Sequence, residues 1–582
     1  MEVSGSYDMG GLKGTFHQII DLQNGRDVLT YDAGTTRGQQ GTEEATSWWA
    51  DEKGLVSVQE APEALADTAT QSYEDRNGWF QLDSSVPPVY LDSRQVGDRS
   101  FHLVKVQPPA GHALTLWIDF DTHRLARVVW LDGHQRENTT YFSDYRQVNG
   151  IWYPFVQRSS TGDPSSDVTM TITKFRVRTG LTKEDFAPPI STVHDAQLLA
   201  GESTTIPFLL KGGMIVVNVS INGKPPLPFV LDSGALNVLT PEAAKSLQVA
   251  TEGDLSANGV GNSQVSAHLA HIRTYRVGSA ELADQRFIIL PLPRTFIDNG
   301  KQAPVAGLIG YELLRRFLVQ IDYHRRELTI ALPGKTGEAD RGTRVQLLFN
   351  GRNCFVTASV DSVPGYFGID TGDDGALTLF GSFLSAHPLP IQTPGIEGFQ
   401  GGVGGSASTL LTRVNSFSIG PFTVQRPLTE LHSATGGAFA STRVAGNLGS
   451  QIFRNFIMTF DYEHRSLYLK RSPDFGYSMP YNRSGIHLDM TEKGDISVTS
   501  VNEFSPGASA GVQDHDQVIA INNRPVSGQP FSEIQELLSQ PAGTRLNLDV
   551  LRNGERRHFL VTLRELLPTS GDLQVPTDLI RQ

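Results

Sequence analysis

Short apolar runs, alternating or β-branched and punctuated by Gly, Pro and Asn, favour short strands over long helices in this chain. Within residues 1–190, the runs 101–106 (Phe-His-Leu-Val-Lys-Val), 114–119 (Leu-Thr-Leu-Trp-Ile-Asp) and 168–173 (Val-Thr-Met-Thr-Ile-Thr) carry the strand signature. The stretch 117–129 reads as a hairpin turning at Asp121-Thr122-His123. Together they predict an N-terminal β-rich domain over 1–190. Near the other end, residues 473–565 form a further unit of short strands, with a helix over 531–538 and a hairpin turn at Asn553-Gly554. The tail 566–582 is expected to be loosely ordered.

Between these units lies an internal repeat. Residues 310–330 align without gaps to 449–469, an offset of 139, and seven of 21 positions are identical: the paired Gly, Arg, Phe, Asp, Tyr, Arg and Leu. Each copy reads as a short helix, a strand, a turn at Asp-Tyr and a second strand. Nearly the same phase, an offset of 138, links Phe229-Val-Leu-Asp-Ser-Gly234 to Phe367-Gly-Ile-Asp-Thr-Gly372. Two signals at one spacing argue for a duplicated lobe.

Composition narrows the classes. At 582 residues the chain exceeds one core, so several domains are expected. The 39% hydrophobic and 19% charged content is globular. A formal charge of −13 without a Lys/Arg run gives no support for a nucleic-acid partner. No apolar run reaches the roughly 18 residues of a membrane span. The first residues lack the basic and apolar regions of a signal peptide, so the chain is cytosolic or its numbering follows a removed signal. Cys354, the single cysteine, excludes an internal disulfide and a multi-cysteine metal site, and reads as a small buried hydrophobe.

A lone Asp-Ser-Gly is an ordinary turn. Here Asp232-Ser233-Gly234 and Asp370-Thr371-Gly372 each follow an apolar strand end and precede, by 78 or 79 residues, a hydrophobic-Gly-helix element at Gly310 or Gly449. On these motifs, residues 200–472 resemble the two lobes of retropepsin- and pepsin-type aspartic peptidases, lobe 1 over 200–335 and lobe 2 over 336–472. The resemblance implies that Asp232 and Asp370 are paired catalytic carboxylates sharing one proton, with water as nucleophile and no cofactor or metal. Ser233 and Thr371 would hydrogen-bond across the interface, and Gly234 and Gly372 would permit the tight turns. Leu308-Ile309-Gly310 and Asn447-Leu448-Gly449 would brace the loops. Flap candidates are 256–263, tipped by Gly259 and Gly261, and 399–406, tipped by Gly402 and Gly404. This sequence departs from the family at Asp373-Asp374, whose charge would raise the pair's titration or repel substrate, at Asn447, and in lacking a flap-tip tyrosine.

The stretches 505–512 and 516–522 resemble a bacterial-type PDZ domain, with His515 and Asn523 where glycine is usual; both tolerate left-handed backbone. Ser484-Gly485-Ile486 would receive the carboxylate of a C-terminal peptide ligand. The segment with Tyr145, Trp152, Tyr153 and Pro154 resembles the last strands of the lipoprotein-carrier-like sheet that wraps a hydrophobic cavity, and these resemblances imply a periplasmic or otherwise exported location. Trp48-Trp49 reads as packing. Gly507-Ala-Ser-Ala-Gly511 matches a serine nucleophile elbow but lacks the preceding strand. His268 and His271 would face opposite sides of a strand, which makes a poor metal site.

The fold class expected is therefore mainly β: a bilobal peptidase core flanked by an N-terminal β-rich domain and a PDZ domain. The function expected is aspartic endopeptidase action on proteins or peptides, with PDZ-assisted docking. Two alternatives are a non-catalytic peptide-binding scaffold of the same fold and a lipid or lipoprotein carrier governed by the N-terminal domain.

Overall fold

The computed structural model describes residues 1–34, 36–43, 45–80, 86–191, 194–257, 265–334, 341–391, 395–433, 438–491 and 493–567. About 51% of the chain is strand and 12% helix, so the molecule is mainly β. The first sheet is a 13-stranded antiparallel ribbon. It runs in reverse chain order from Val56–Gln59 to Glu2–Met9, crosses to Val168–Arg176 and runs back again to Val89–Val96. Near-neighbour pairing of this kind needs only hairpin turns. Leu114–Asp119 pairs with Leu125–Leu131, and His123 takes a φ of 54° at the turn, the hairpin expected over 117–129. Pro62 opens the helix Pro62–Asp75, where a missing N–H is harmless. The helix buries Ala64, Ala66 and Tyr73 and lies against Thr46–Ala50 and Leu348–Asn350.

The repeat in the sequence is a repeat in space. In the nine-stranded sheet, Leu227–Leu231 runs parallel to Gly307–Ile309, which is antiparallel to Val238–Leu239, itself parallel to Ala280–Ile289. In the ten-stranded sheet, Val363–Ile369 runs parallel to Gly446–Leu448, which is antiparallel to Leu377–Leu379, itself parallel to Leu428–Leu431. The order and senses are the same. Each strand-helix-strand signature then enters one shared six-stranded sheet, where Leu318–Asp322 pairs with Phe456–Asp461 and sets Ile321 opposite Met458. Ile321, Leu328, Met458 and Phe460 are fully buried there, at about 1.5–3 kcal/mol each.

Glycine in the braces follows from close backbone approach. A Cβ on Gly310 would stand 1.9 Å from the Asp232 carbonyl oxygen, and one on Gly449 2.5 Å from the Gly375 carbonyl oxygen.

The last sheet has Ile486–Met490 at its edge beside the helix Phe531–Leu538, which spans the residues read as helical in the sequence. His515 and Asn523 adopt left-handed φ of 68° and 61°, and Asn553 and Gly554 form the expected turn. This unit touches both halves of the core. Phe531 N–H donates to Asp298 of the first at 2.8 Å, and the Asn502 side-chain amide donates to the Glu397 carbonyl of the second at 3.0 Å.

The N-terminal sheet is docked as well: Glu60 and Ala61 N–H both donate to the Phe349 carbonyl at 2.9 Å. Trp48 donates its ring N–H to the Phe186 carbonyl, and Trp49 packs on Tyr311, so this pair is packing. The first two residues of the tail are ordered. Leu566 and Leu567 are held by N–H donation to the Tyr481 hydroxyl and Leu567 is buried; residues 568–582 lie outside the described residues. Among the described residues no helix is long and apolar enough to cross a membrane.

Candidate active site

Asp232 follows Leu227–Leu231 directly, and Asp370 follows Val363–Ile369. The braces catch both: Asp232 N–H donates to the Ile309 carbonyl at 2.9 Å and Asp370 N–H to the Leu448 carbonyl at 3.1 Å. The next residues lock together. Ser233 N–H donates to Thr371 Oγ1 at 2.9 Å and Thr371 N–H to Ser233 Oγ at 3.1 Å. Ser233 Oγ donates to the Ile369 carbonyl and Thr371 Oγ1 to the Leu231 carbonyl, each at 2.9 Å. Both side chains are about 1% exposed, so four hydrogen bonds in a dry environment fix one loop against the other. Gly234 and Gly372 N–H turn back onto Asp232 Oδ1 and Asp370 Oδ1 at 2.8 and 2.9 Å. A Cβ on Gly372 would stand 2.4 Å from Asp232 Oδ2, and one on Gly234 3.0 Å from Asp370 Cγ, so glycine lets each loop approach the other's carboxyl.

The two carboxyls hydrogen-bond to each other. Burial raises both titrations, and for Asp370 the facing Asp232 charge adds to it, so the two do not ionise together readily and titrate as a pair.

Two departures from the family pattern explain each other. The Asn447 side chain donates to Asp373 Oδ2 at 2.9 Å, and Gly375 N–H donates to Asp373 Oδ1 at 2.8 Å. Asn447 also reaches Asp370. Burial and then the Asp370 charge push Asp373 up to about 6, while burial and then Asp373 and Asp374 push Glu430 up to about 8. The Asp373 charge in turn raises Asp232, as the sequence led us to expect. Each raised acid keeps its proton in the folded protein at a pH where the unfolded chain has lost it. Its stabilising contribution is full below the ordinary carboxylate range and fades as pH rises through about 6 and 8. Denaturant unfolding should give lower stability at pH 8 than at pH 5. Glu430→Gln should recover about 2 kcal/mol at pH 8 and little at pH 5; equal effects at both would contradict the assignment.

These groups lie in a cleft of about 2540 Å³, well beyond the usual small-molecule range. Asp232 and Asp370 line its floor, and the hairpin of Ile396–Gly402 and Gly405–Arg413 lines one wall. Gly402 pairs with Gly405 at the tip, where Gly404 takes a φ of 84°. Gly259 and Gly261, of the other flap candidate, lie outside the described residues.

Ile486–Met490 and Phe531–Leu538 line the same cleft, so the two grooves are continuous, which sequence reasoning missed. The Phe399 ring stands edge-on to His487, with centroids 4.9 Å apart, joining the flap to that edge strand. The carboxylate-loop role given to Ser484, Gly485 and Ile486 needs correcting. Ser484 and Gly485 N–H donate to Asn482 Oδ1 at 3.0 and 3.2 Å, and Ile486 N–H donates to Ser484 Oγ at 3.0 Å. In this conformation none of the three is free for a peptide carboxylate.

The remaining side chains singled out in the sequence have local partners. Ser509 lies on the helix Pro506–Ala510 and donates to the Ser505 carbonyl at 2.8 Å. His268 meets the Gly253 carbonyl while His271 pairs with Asp284. Cys354 is buried against the Tyr462 hydroxyl, and burial pushes its thiol up to about 12.

Residues 217–313 match the family model for aspartyl proteases and residues 497–552 that for PDZ domains, so the chain carries both domains. A probable CtpA-like serine protease of Staphylococcus saprophyticus is 31% identical over 93 residues, 16% of this chain and 19% of that protein. The carboxy-terminal processing protease CtpA of Bacillus subtilis is 28% identical over 100 residues, 17% of this chain and 22% of that protein. The chain thus spans about a fifth of the length of these relatives. A LolA superfamily protein from Nitrosomonas europaea aligns with 32% of this chain and 89% of its own, at 10% identity and a TM-score of 0.25.

Proposed function

We propose that the protein is an aspartic endopeptidase whose two lobes, 200–335 and 336–472, each contribute one carboxylate to a shared site. Ionised Asp232 takes a proton from a water lodged between the pair while Asp370, carrying the shared proton, donates a hydrogen bond to the scissile carbonyl. The resulting tetrahedral intermediate collapses as the leaving amine takes up a proton. One observation carries this reading: two hydrogen-bonded carboxyls whose loops are locked by the Ser233–Thr371 bonds on the floor of an open cleft. Protein or peptide substrates suit a groove of this length, and a segment lying along Ile486–Met490 would dock by strand addition beside the PDZ helix.

Water as nucleophile separates this chemistry from that of the serine proteases named above. Cleavage of an unfolded protein in ¹⁸O-water, quenched within one turnover and read by mass spectrometry, is expected to put one ¹⁸O into each new C-terminus and leave the enzyme unmodified. An acyl adduct on any serine would overturn the proposal.

A further inference from the structure

The 13-stranded sheet is closed at one end and open at the other. At the closed end, Val56–Gln59 leads into Glu60 and Ala61, which are held on the Phe349 carbonyl. At the open end stands Val89–Val96, and all eight of its residues are exposed. Among the described residues its outer side pairs with no strand. Val89, Tyr90, Leu91 and Val96 are each about half exposed. Phe120, equally exposed, packs on His102 of the neighbouring strand. An outer strand presents unpaired backbone N–H and C=O groups, which proteins ordinarily guard with charge. The outer strand of the last sheet, Glu555–Thr562, does so with Glu555, Arg556, Arg557 and His558 in succession. Val89–Val96 instead carries one acid and one base, Asp92 and Arg94.

The placing of that acid and base is self-complementary. Asp92 and Arg94 flank Ser93, so an antiparallel copy centred on Ser93 sets each Asp92 opposite an Arg94. The same register sets Tyr90 opposite Val96 and Leu91 opposite Gln95. A parallel copy in register would set Asp92 on Asp92, and like charges directly opposite destabilise where opposite charges stabilise. Local geometry suits the antiparallel arrangement. The register shift lies between Tyr90 and Asp92, and from Asp92 to Val96 the strand alternates regularly, with Asp92 facing Leu103 and Arg94 facing Phe101. Both charges therefore stand on one face, where the Arg94 guanidinium lies 5.9 Å from the Trp117 ring centroid. Ser93 stands on the other and meets His102 at 3.1 Å. Val96 and Arg99 flank a two-residue turn and so pair inward, which points the N–H and C=O of Ser93 and Gln95 out of the sheet. Within the strand Arg94 Nε and Asp92 Oδ2 are 3.8 Å apart, and the side chains are 60% and 61% exposed, so both are open to a second copy.

We propose that Val89–Val96 is a dimerisation edge, which pairs antiparallel with the same strand of a second copy of this chain about a two-fold axis at Ser93. The sheet then continues from one copy into the other. The contact is isologous and uses up both edges, so assembly stops at two. Eight residues a side is fewer than the about 20–30 of a standard interface, so the dimer is reversible and depends on concentration. The strand lies away from the cleft, and the inference is independent of the peptidase reading.

The test uses the full chain. Sedimentation over about a hundredfold range of concentration should show monomer passing to dimer. Asp92→Arg and Arg94→Asp each set like charges opposite one another and should each weaken the dimer about tenfold, while the double exchange should restore it. Disulfide trapping reads the register. Cys354 is the single cysteine and is buried, so an introduced thiol is the sole exposed one. Ser93→Cys should cross-link, because residues directly opposite have Cα atoms about 5.5 Å apart. Gln95→Cys, whose two copies would stand about 13 Å apart, should not. The four side chains are exposed, so these substitutions leave the fold intact. A chain monomeric throughout, a dimer untouched by both single exchanges, or equal trapping at the two positions would overturn the proposal.

Discussion

Asp232→Asn and Asp370→Asn are each expected to lower kcat/KM for an unfolded protein by about 10²–10⁴-fold, the range for removing a positioned general acid or base. Both substitutions keep the side-chain shape, so the Ser233–Thr371 bonds should survive and the thermal unfolding midpoint should not fall. The wild-type pH profile adds a second check. Activity needs one proton across the pair, so it should disappear as pH falls through the lower titration and again as pH rises through the upper one. Burial raises Asp232 and raises Asp370 further, which moves the active window from strong acid toward neutrality. Full cleavage by either variant across pH 3–8 would remove the pair from the chemistry.

Arg316→Met should destabilise the protein by about 3–5 kcal/mol, the penalty for stranding buried charge. The Arg316 side chain is 3% exposed and ends the helix Tyr311–Arg316, which the Gly310 brace begins. Its guanidinium donates to both carboxylate oxygens of Asp195 at 2.9 Å and to Asp51 Oδ2 at 3.1 Å. Asp51 follows Thr46–Ala50 of the N-terminal sheet, so one side chain ties that sheet to the strand bracing Asp232. Denaturant midpoints measured at constant slope would show the loss. A change below 1 kcal/mol would mean that the sheet's docking is independent of this cluster. Asp51→Asn, which leaves Asp195 in place, is expected to cost less.

Much of this site was legible because its determinants are local or repeated. Asp-Ser-Gly and Asp-Thr-Gly mark turns by residue type alone, and their spacing from Gly310 and Gly449 exposed the second lobe. The match to aspartyl proteases spans only 217–313 and so contains Asp232 but not Asp370. Helix 531–538 and the Asn553-Gly554 turn follow from short-range pattern in the same way. What escaped sequence reading depends on partners far apart in the chain. Asn447 looked like a flaw in an apolar brace because its partner Asp373 lies 74 residues away. The loop 484–486 looked open because nothing in its sequence says that Asn482 Oδ1 accepts from its N–H groups. The continuity of the PDZ groove with the cleft that holds Asp232 and Asp370 arises from docking contacts through Asp298 and Glu397, which no periodicity encodes.

The central claim concerns one hydrogen, and neutron diffraction from a deuterium-exchanged crystal near pH 5 would locate it. The account predicts a single deuteron between Asp232 and Asp370, at an oxygen–oxygen separation below about 3 Å. Two ionised carboxylates with no deuteron between them, or carboxyls separated beyond hydrogen-bond reach, would contradict it.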